Sequence, residues 1–142
     1  TEEVLGLVHG YSFKIKEGVF RAGLRSLLDS FSNADTIGVV KTMTVRENYN
    51  DMKVRERLLE SCLKFCRGQG AEAAYFIAWK KYGEYEAEKM LEAYQFQRIA
   101  EIEDFWAVDS IEQDFICPAC GSPPCRCTAA IFVLRSLEEL NL

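Results

Sequence analysis

Proline and histidine are nearly missing from this chain. There are 3 prolines, Pro118, Pro123 and Pro124, and all of them fall near one another in the C-terminal part. The rest therefore lacks the residue that breaks helices and central strands. Histidine occurs once, as His9. With 9 glycines, collagen-like repeats are excluded. No apolar run approaches the ~18 residues a membrane-spanning helix needs. The start, Thr1-Glu2-Glu3-Val4, has neither the basic region nor the apolar stretch of a secretory signal. The expectation is a soluble, cytoplasmic protein with no membrane partner.

Positive charge is also in deficit: the net charge is −5. Nonspecific nucleic-acid binding depends on phosphate neutralisation, so a nucleic-acid partner is not expected. The distribution is uneven. Residues 41–67 carry seven basic against four acidic side chains, whereas residues 84–114 carry ten acidic against two basic. The first stretch suits a small anion and the second a cationic ligand. Two solvated faces would have the same composition.

What is present is an ordinary globular composition: 142 residues, 49% hydrophobic and 27% charged. That length supports one hydrophobic core, so residues 1–142 are read as a single domain. Strand-forming residues occupy 4–15, ending in alternation at Tyr11, Phe13 and Ile15. Phe20, Leu24, Leu27, Leu28 and Phe31 then recur at helical spacing. Residues 36–45 alternate as a second strand. A helix is predicted from about Met52 to Arg67, with Val54, Leu58, Cys62 and Phe65 toward the core and Leu59, Leu63 and Cys66 beside them. Gly68 and Gly70 end it. Residues 71–79 form an apolar run, as in a strand covered on both sides. A helix over 84–94, a strand over 97–106, an acidic loop or helix over 109–114 and a last strand over 128–137 complete the order. Strands alternating with helices imply a mixed α/β sheet with helices packed on it.

Val45, Tyr49, Val54, Leu58 and Leu59 fall, without gaps, where the GNAT superfamily of acyl-CoA N-acyltransferases has a strand-ending valine, a tyrosine-bearing turn and a helix opening with paired leucines. Downstream, Glu84, Ala87, Met90, Leu91, Gln95 and Phe96 occupy the family's Asn-x-x-Ala-x-x-Leu-Tyr and Gly-Phe positions. The stretch from Thr36 to about Trp106 therefore resembles that family. The sequence departs from it in the phosphate loop, where Asn50-Asp51-Met52-Lys53-Val54-Arg55 replaces a glycine-rich segment, at Leu91 in place of tyrosine, and at Gln95 in place of glycine. No counterpart of the family's first strand and two early helices precedes Val4, which implies a divergent or N-terminally shortened member.

The resemblance implies a GNAT-like α/β fold and acetyl-CoA as co-substrate. It implies that strand 36–45 splays from strand 71–79 and that the pantetheine arm pairs with backbone near Met43 and Val45. Asn50, Lys53, Val54 and Arg55 would hold the pyrophosphate at the start of the following helix. Transfer to an amine needs a base for the ammonium and an acid for the departing thiolate. Tyr94 is the candidate acid, with Tyr85 second. Glu84 is the candidate base, with His9 the other choice. The acceptor would be a small-molecule or peptide amine. Oligomeric state is left open, a homodimer included.

Four of the 6 cysteines are clustered in Cys117-Pro-Ala-Cys120-Gly and Cys125-Arg-Cys127. The first is the tight knuckle that zinc sites use, and four thiolates satisfy a tetrahedral Zn²⁺. Metal-free or redox-active thiols are the competing reading. Such a closed site would be structural. Cys62 and Cys66, four apart on a helix, read as buried small hydrophobes. A second function class also fits the sequence: a catalytically degenerate GNAT-like fold serving as a zinc-stabilised protein-binding module.

Overall fold

The computed structural model describes residues 4–17, 24–31, 34–46, 52–80 and 87–142. Asn50, Glu84 and Tyr85 lie outside these residues, as does Phe20. The elements follow the predicted order. They are β1 (Gly6–Lys14), a 3₁₀ turn (Ile15–Glu17), α1 (Leu24–Phe31), β2 (Thr36–Val45), α2 (Met52–Gly68), β3 (Ala73–Trp79), α3 (Glu88–Ala93), β4 (Gln97–Ile102), α4 (Ala107–Glu112) and β5 (Ala129–Leu134).

Among the described residues, five strands form one sheet in the order β1-β2-β3-β5-β4. The β2–β3 pair is parallel; β1–β2, β3–β5 and β4–β5 are antiparallel. The apolar run in β5 is explained by its place between β3 and β4, where all six of its residues are buried. Alternate side chains of the central strands feed two cores. One holds Val40, Phe76, Ala78 and Phe132 against Leu59 and Leu63 of α2 and Met90 and Leu91 of α3. The other holds Val39, Tyr75 and Ile131 against Leu24 and Leu28 of α1. This is the period-2 distribution expected of a sheet covered on both faces.

Helix α2 sits closer to the sheet than ordinary side chains would permit. A Cβ on Gly10 would lie 2.3 Å from Cys62 Sγ, and one on Gly38 would lie 2.8 Å from both Cβ and Sγ of Cys66. Two glycine notches in β1 and β2 thus receive two thiols. Cys62 and Cys66 are buried small hydrophobes, as read from the sequence. The hydrogen bond to Cys66 and burial push the Cys62 thiol up. The close docking also corrects the predicted core face. The buried stripe is Leu59, Cys62, Leu63 and Cys66, while Phe65 is 55% exposed and Val54 and Leu58 are half-buried.

Both helix ends use left-handed caps. At the end of α2, Gly70 has φ +92° and Ala71 N–H returns to the Cys66 carbonyl at 3.0 Å. After α3, Gln95 has φ 68°, with Phe96 N–H on the Leu91 carbonyl at 2.9 Å and Gln95 N–H on that of Glu92 at 3.0 Å. This is a Schellman cap at the position where the sequence departs from a family glycine. β4 ends at Ile102, short of the predicted Trp106, because residues 103–106 turn and Asp104 takes φ 53°. The acidic stretch that follows begins in α4.

Candidate functional site

The ladder between β2 and β3 is short. It starts at Ile37 with Ala73 and ends at Val40 with Phe76, although the strands continue to Val45 and Trp79. Past that point β2 remains paired to β1, and β3 to β5. The strands fork. The cause is local. Between His9 and Gly10 the β2 partners step from Thr42 to Val40, so Lys41 is an extra residue in β2. Such a bulge bends its strand and increases its twist, and this one falls directly after the last β2–β3 pair.

A cavity of about 750 Å³ occupies the fork. Its lining comes from both faces of the sheet. Met43, Phe76, Ala78 and Ala87 belong to the α2–α3 side; Val39, Tyr75 and Trp106 belong to the α1 side. Among the polar lining residues, Lys41 belongs to β2, Arg55 to α2 and Asp109 to α4, and Gln113 follows directly after α4. No acidic residue lies in the first turn of α2, so nothing in that turn offsets the positive end of its dipole.

The residues proposed from the sequence are distributed as follows. Met43 and Arg55 line the cavity. Val45 is half-buried and pairs with Gly6 of β1. Lys53 is exposed and Val54 half-buried in the first turn of α2, and neither borders the cavity. Tyr94 is likewise not among its lining residues. The Tyr94 phenol donates a hydrogen bond to a Glu60 carboxylate oxygen of α2. Partial burial, that bond and the charges of Glu60 and Glu56 push it above its usual range. Leu91, where the family carries tyrosine, is fully buried. His9 is exposed, with its ring 5.9 Å from that of Tyr11.

Sequence reasoning does not single out Tyr75 and Asp109, which are among the lining residues. Tyr75 is 4% exposed, and burial, with a smaller push from Tyr11, raises its phenol. It therefore stays protonated at neutral pH. Its signal was present: it is the only hydroxyl in the apolar run 71–79. Asp109 had none, being one acid among ten in residues 84–114.

The four clustered cysteines meet at the α4 edge of the cavity, where Cys117, Pro118 and Cys125 form part of the wall. Their Sγ atoms all lie within 4.8 Å of one another. Cys127 is 3.6 Å from Cys117 and 3.4 Å from Cys120. Four sulfurs at about 2.3 Å from a tetrahedral Zn²⁺ stand about 3.8 Å apart, so the spacing fits. It is too long for a disulfide, whose sulfurs approach to about 2.05 Å, and all the cysteines are free. Cys117 and Gly121 exchange both backbone hydrogen bonds, at 3.0 and 2.8 Å, and Gly121 takes φ +82°. Arg126 N–H points at Cys120 Sγ, 3.3 Å away. Burial pushes the Cys117 thiol up, but the amides of Cys120 and Ala119 and the adjacent thiols outweigh it and bring it to about 7. Burial pushes Cys125 and Cys127 up, Cys127 to about 12.

No family model and no curated protein matches the sequence. Solved structures do match the fold. Arabidopsis thaliana NAA60 in complex with acetyl-CoA superposes with TM-score 0.63 at 16% identity, over 94% of this chain and 67% of that one. The same protein with a bisubstrate analogue gives 0.64 at 15%, over 92% and 64%. The fold is GNAT-like. The Drosophila melanogaster polyamine N-acetyltransferase, which forms N-acetylagmatine, gives 0.57 at 15% identity, over 92% and 69%. The chain thus spans about two thirds of the length of these proteins. Among the described residues, no helix is long and apolar enough to cross a membrane.

Proposed function

We propose that the protein is an acyl-CoA-dependent N-acyltransferase that uses acetyl-CoA as co-substrate and a small-molecule or peptide amine as acceptor. One observation carries this reading: the ladder ends at Val40 and Phe76, and a cavity lined from both faces of the sheet fills the resulting fork. An extended pantetheine arm matches a strand edge that has lost its partner, near Met43 and Val45. Arg55 and Lys41, with the start of α2, supply positive potential for the diphosphate. The acceptor approaches from the α1 side, past α4.

In this reading the ammonium gives up a proton to Asp109 and the free amine attacks the thioester carbonyl. The C–N bond forms, the C–S bond breaks, the departing thiolate takes a proton from the Tyr75 phenol, and the phenolate regains one from the new amide nitrogen, which carries a surplus proton; Asp109 releases its own to solvent. Tyr75 is preferred to Tyr94 because it faces the cavity, whereas the Tyr94 hydrogen is committed to Glu60. Glu84 remains a proposed base on family position alone. A Zn²⁺ on Cys117, Cys120, Cys125 and Cys127 is proposed as a structural ion.

A second reading, a degenerate fold that binds a protein partner, draws support from the buried Leu91 at the family's tyrosine position. Calorimetric titration with acetyl-CoA, followed by thiol release in the presence of primary amines, separates the two. Binding with amine-dependent thiol release supports the transferase. Absence of binding at millimolar acetyl-CoA supports the binding module.

A further inference from the structure

The four-cysteine cluster is tied to the cavity through one residue. Ser110, on α4, is fully buried and is the one buried polar residue among those described. Its hydroxyl donates to the Ala107 carbonyl at 2.8 Å and accepts the Cys125 N–H at 2.8 Å. Its carbonyl accepts the Phe115 N–H at 3.2 Å, and the Phe105 N–H reaches the Cys127 carbonyl at 3.3 Å. The turn before α4, the helix itself and the segment after it are therefore stitched to two of the clustered cysteines. Asp109 precedes Ser110 directly, and Gln113 and Phe115 follow it; all three line the cavity.

α4 has six residues. A helix that short does not hold itself together in water. Its outer positions Val108 and Ile111 are 50% and 60% exposed, so little apolar burial secures it. The contact with the cysteine loop holds its inner side, where Ser110 is buried, and that loop has its own small core, with Cys117, Cys125 and Cys127 packed against Trp79, Trp106 and Phe115. Three of the thiols are buried and Cys120 is exposed, which leaves an entry for an ion.

We infer that Zn²⁺ bound by Cys117, Cys120, Cys125 and Cys127 builds the acceptor wall of the cavity, with Ser110 as the positioning residue that transmits the order of the metal loop to Asp109 and Gln113. The metal does no chemistry, since four protein ligands leave it no open position. The acceptor role rests on the acyltransferase reading; the metal site and its hold on α4 do not.

The test uses the full chain. Elemental analysis should find one zinc per chain, and Co²⁺ exchange should give the intense absorption of tetrahedral thiolate coordination. Both tryptophans of the chain pack on the cluster, so Co²⁺ should quench their emission. Removing the metal with a chelator should raise amide exchange across residues 105–115 at least tenfold while β1, β2 and β3 stay protected. Acetyl-CoA affinity should change by less than threefold. Ser110→Ala should keep the zinc and reproduce the faster exchange in α4, with the amine KM raised at least fivefold and kcat within twofold.

A folded chain that takes up neither zinc nor cobalt overturns the proposal. So does unchanged α4 exchange after metal removal, or in Ser110→Ala. Global unfolding on chelation also overturns it, because the ion would then hold the whole fold rather than one wall. Failure of acetyl-CoA to bind sinks only the transferase reading; the metal content and exchange results stand apart from it.

Discussion

Val40 and Phe76 are the last partners in the ladder joining β2 to β3, and the bulged residue Lys41 comes next on the chain. At this fork Arg55 borders the cavity and Lys53 does not, although both lie in the first turn of α2. Arg55→Glu is expected to weaken acetyl-CoA binding at least tenfold by calorimetry. The exposed Lys53→Glu should weaken it no more than threefold. Equal losses would mean that only the general field of the helix start matters, and not its position at the fork.

Tyr75 is buried at the fork with its phenol pushed up. Tyr75→Phe should lower kcat at least tenfold and leave the KM for acetyl-CoA within twofold, since only a proton is lost. The pH dependence of stability follows in sign. A phenol raised in the folded state holds its proton where the unfolded phenol, near pH 10, releases it. Stability is then undiminished below about pH 10 and falls as pH rises above it. Tyr94 is raised in the same direction. Each Tyr→Phe variant should flatten the alkaline limb of a urea-midpoint profile between pH 9.5 and 11. An unchanged slope in both variants would show that neither phenol is held in its protonated form.

The order of elements was legible because periodicity is local: the apolar run 71–79 and the alternation in 36–45 needed no partner to be recognised. The cysteine cluster was legible for the same reason, since its four thiols lie within a single loop. Phe65 was misassigned to the core because the rotation of α2 depends on Gly10 and Gly38, residues of other elements, accepting Cys62 and Cys66. The bulge at Lys41 exists only relative to β1, so no reading of β2 alone reveals it. Tyr75 and Asp109 meet at one cavity through sheet order, with β5 placed between β3 and β4. Their types and spacing do not encode that meeting.

Gln95 occupies the left-handed cap after α3, with φ 68°. A residue with a Cβ is strained there by about 1 kcal/mol relative to glycine. Glycine also frees the unfolded chain, which offsets part of the gain. Gln95→Gly is expected to stabilise the protein by about 0.5 kcal/mol, read as a higher urea midpoint at constant m-value. A loss of stability would show that the exposed Gln95 side chain makes a contact worth more than the strain it imposes.

Glycine substitutions along α2 and its docking face should diverge in sign. At Gly38 an added methyl meets Cβ and Sγ of Cys66, both at 2.8 Å, and overpacking of this kind costs about 1–3 kcal/mol. At Gly10 it meets Cys62 Sγ at 2.3 Å and the Val39 carbonyl oxygen at 2.7 Å. That oxygen is backbone, and it remains whatever residue occupies position 62. Gly68, inside the last turn of α2, has nothing within 4 Å of an added Cβ, and Gly→Ala there should gain about 0.5–1 kcal/mol of helix propensity. Denaturant unfolding should therefore rank Gly68→Ala above the parent, and Gly38→Ala and Gly10→Ala well below it. Cys62→Ala should fail to restore Gly10→Ala, because the clash with Val39 persists. Full rescue would mean that the thiol alone sets how closely α2 lies on the sheet.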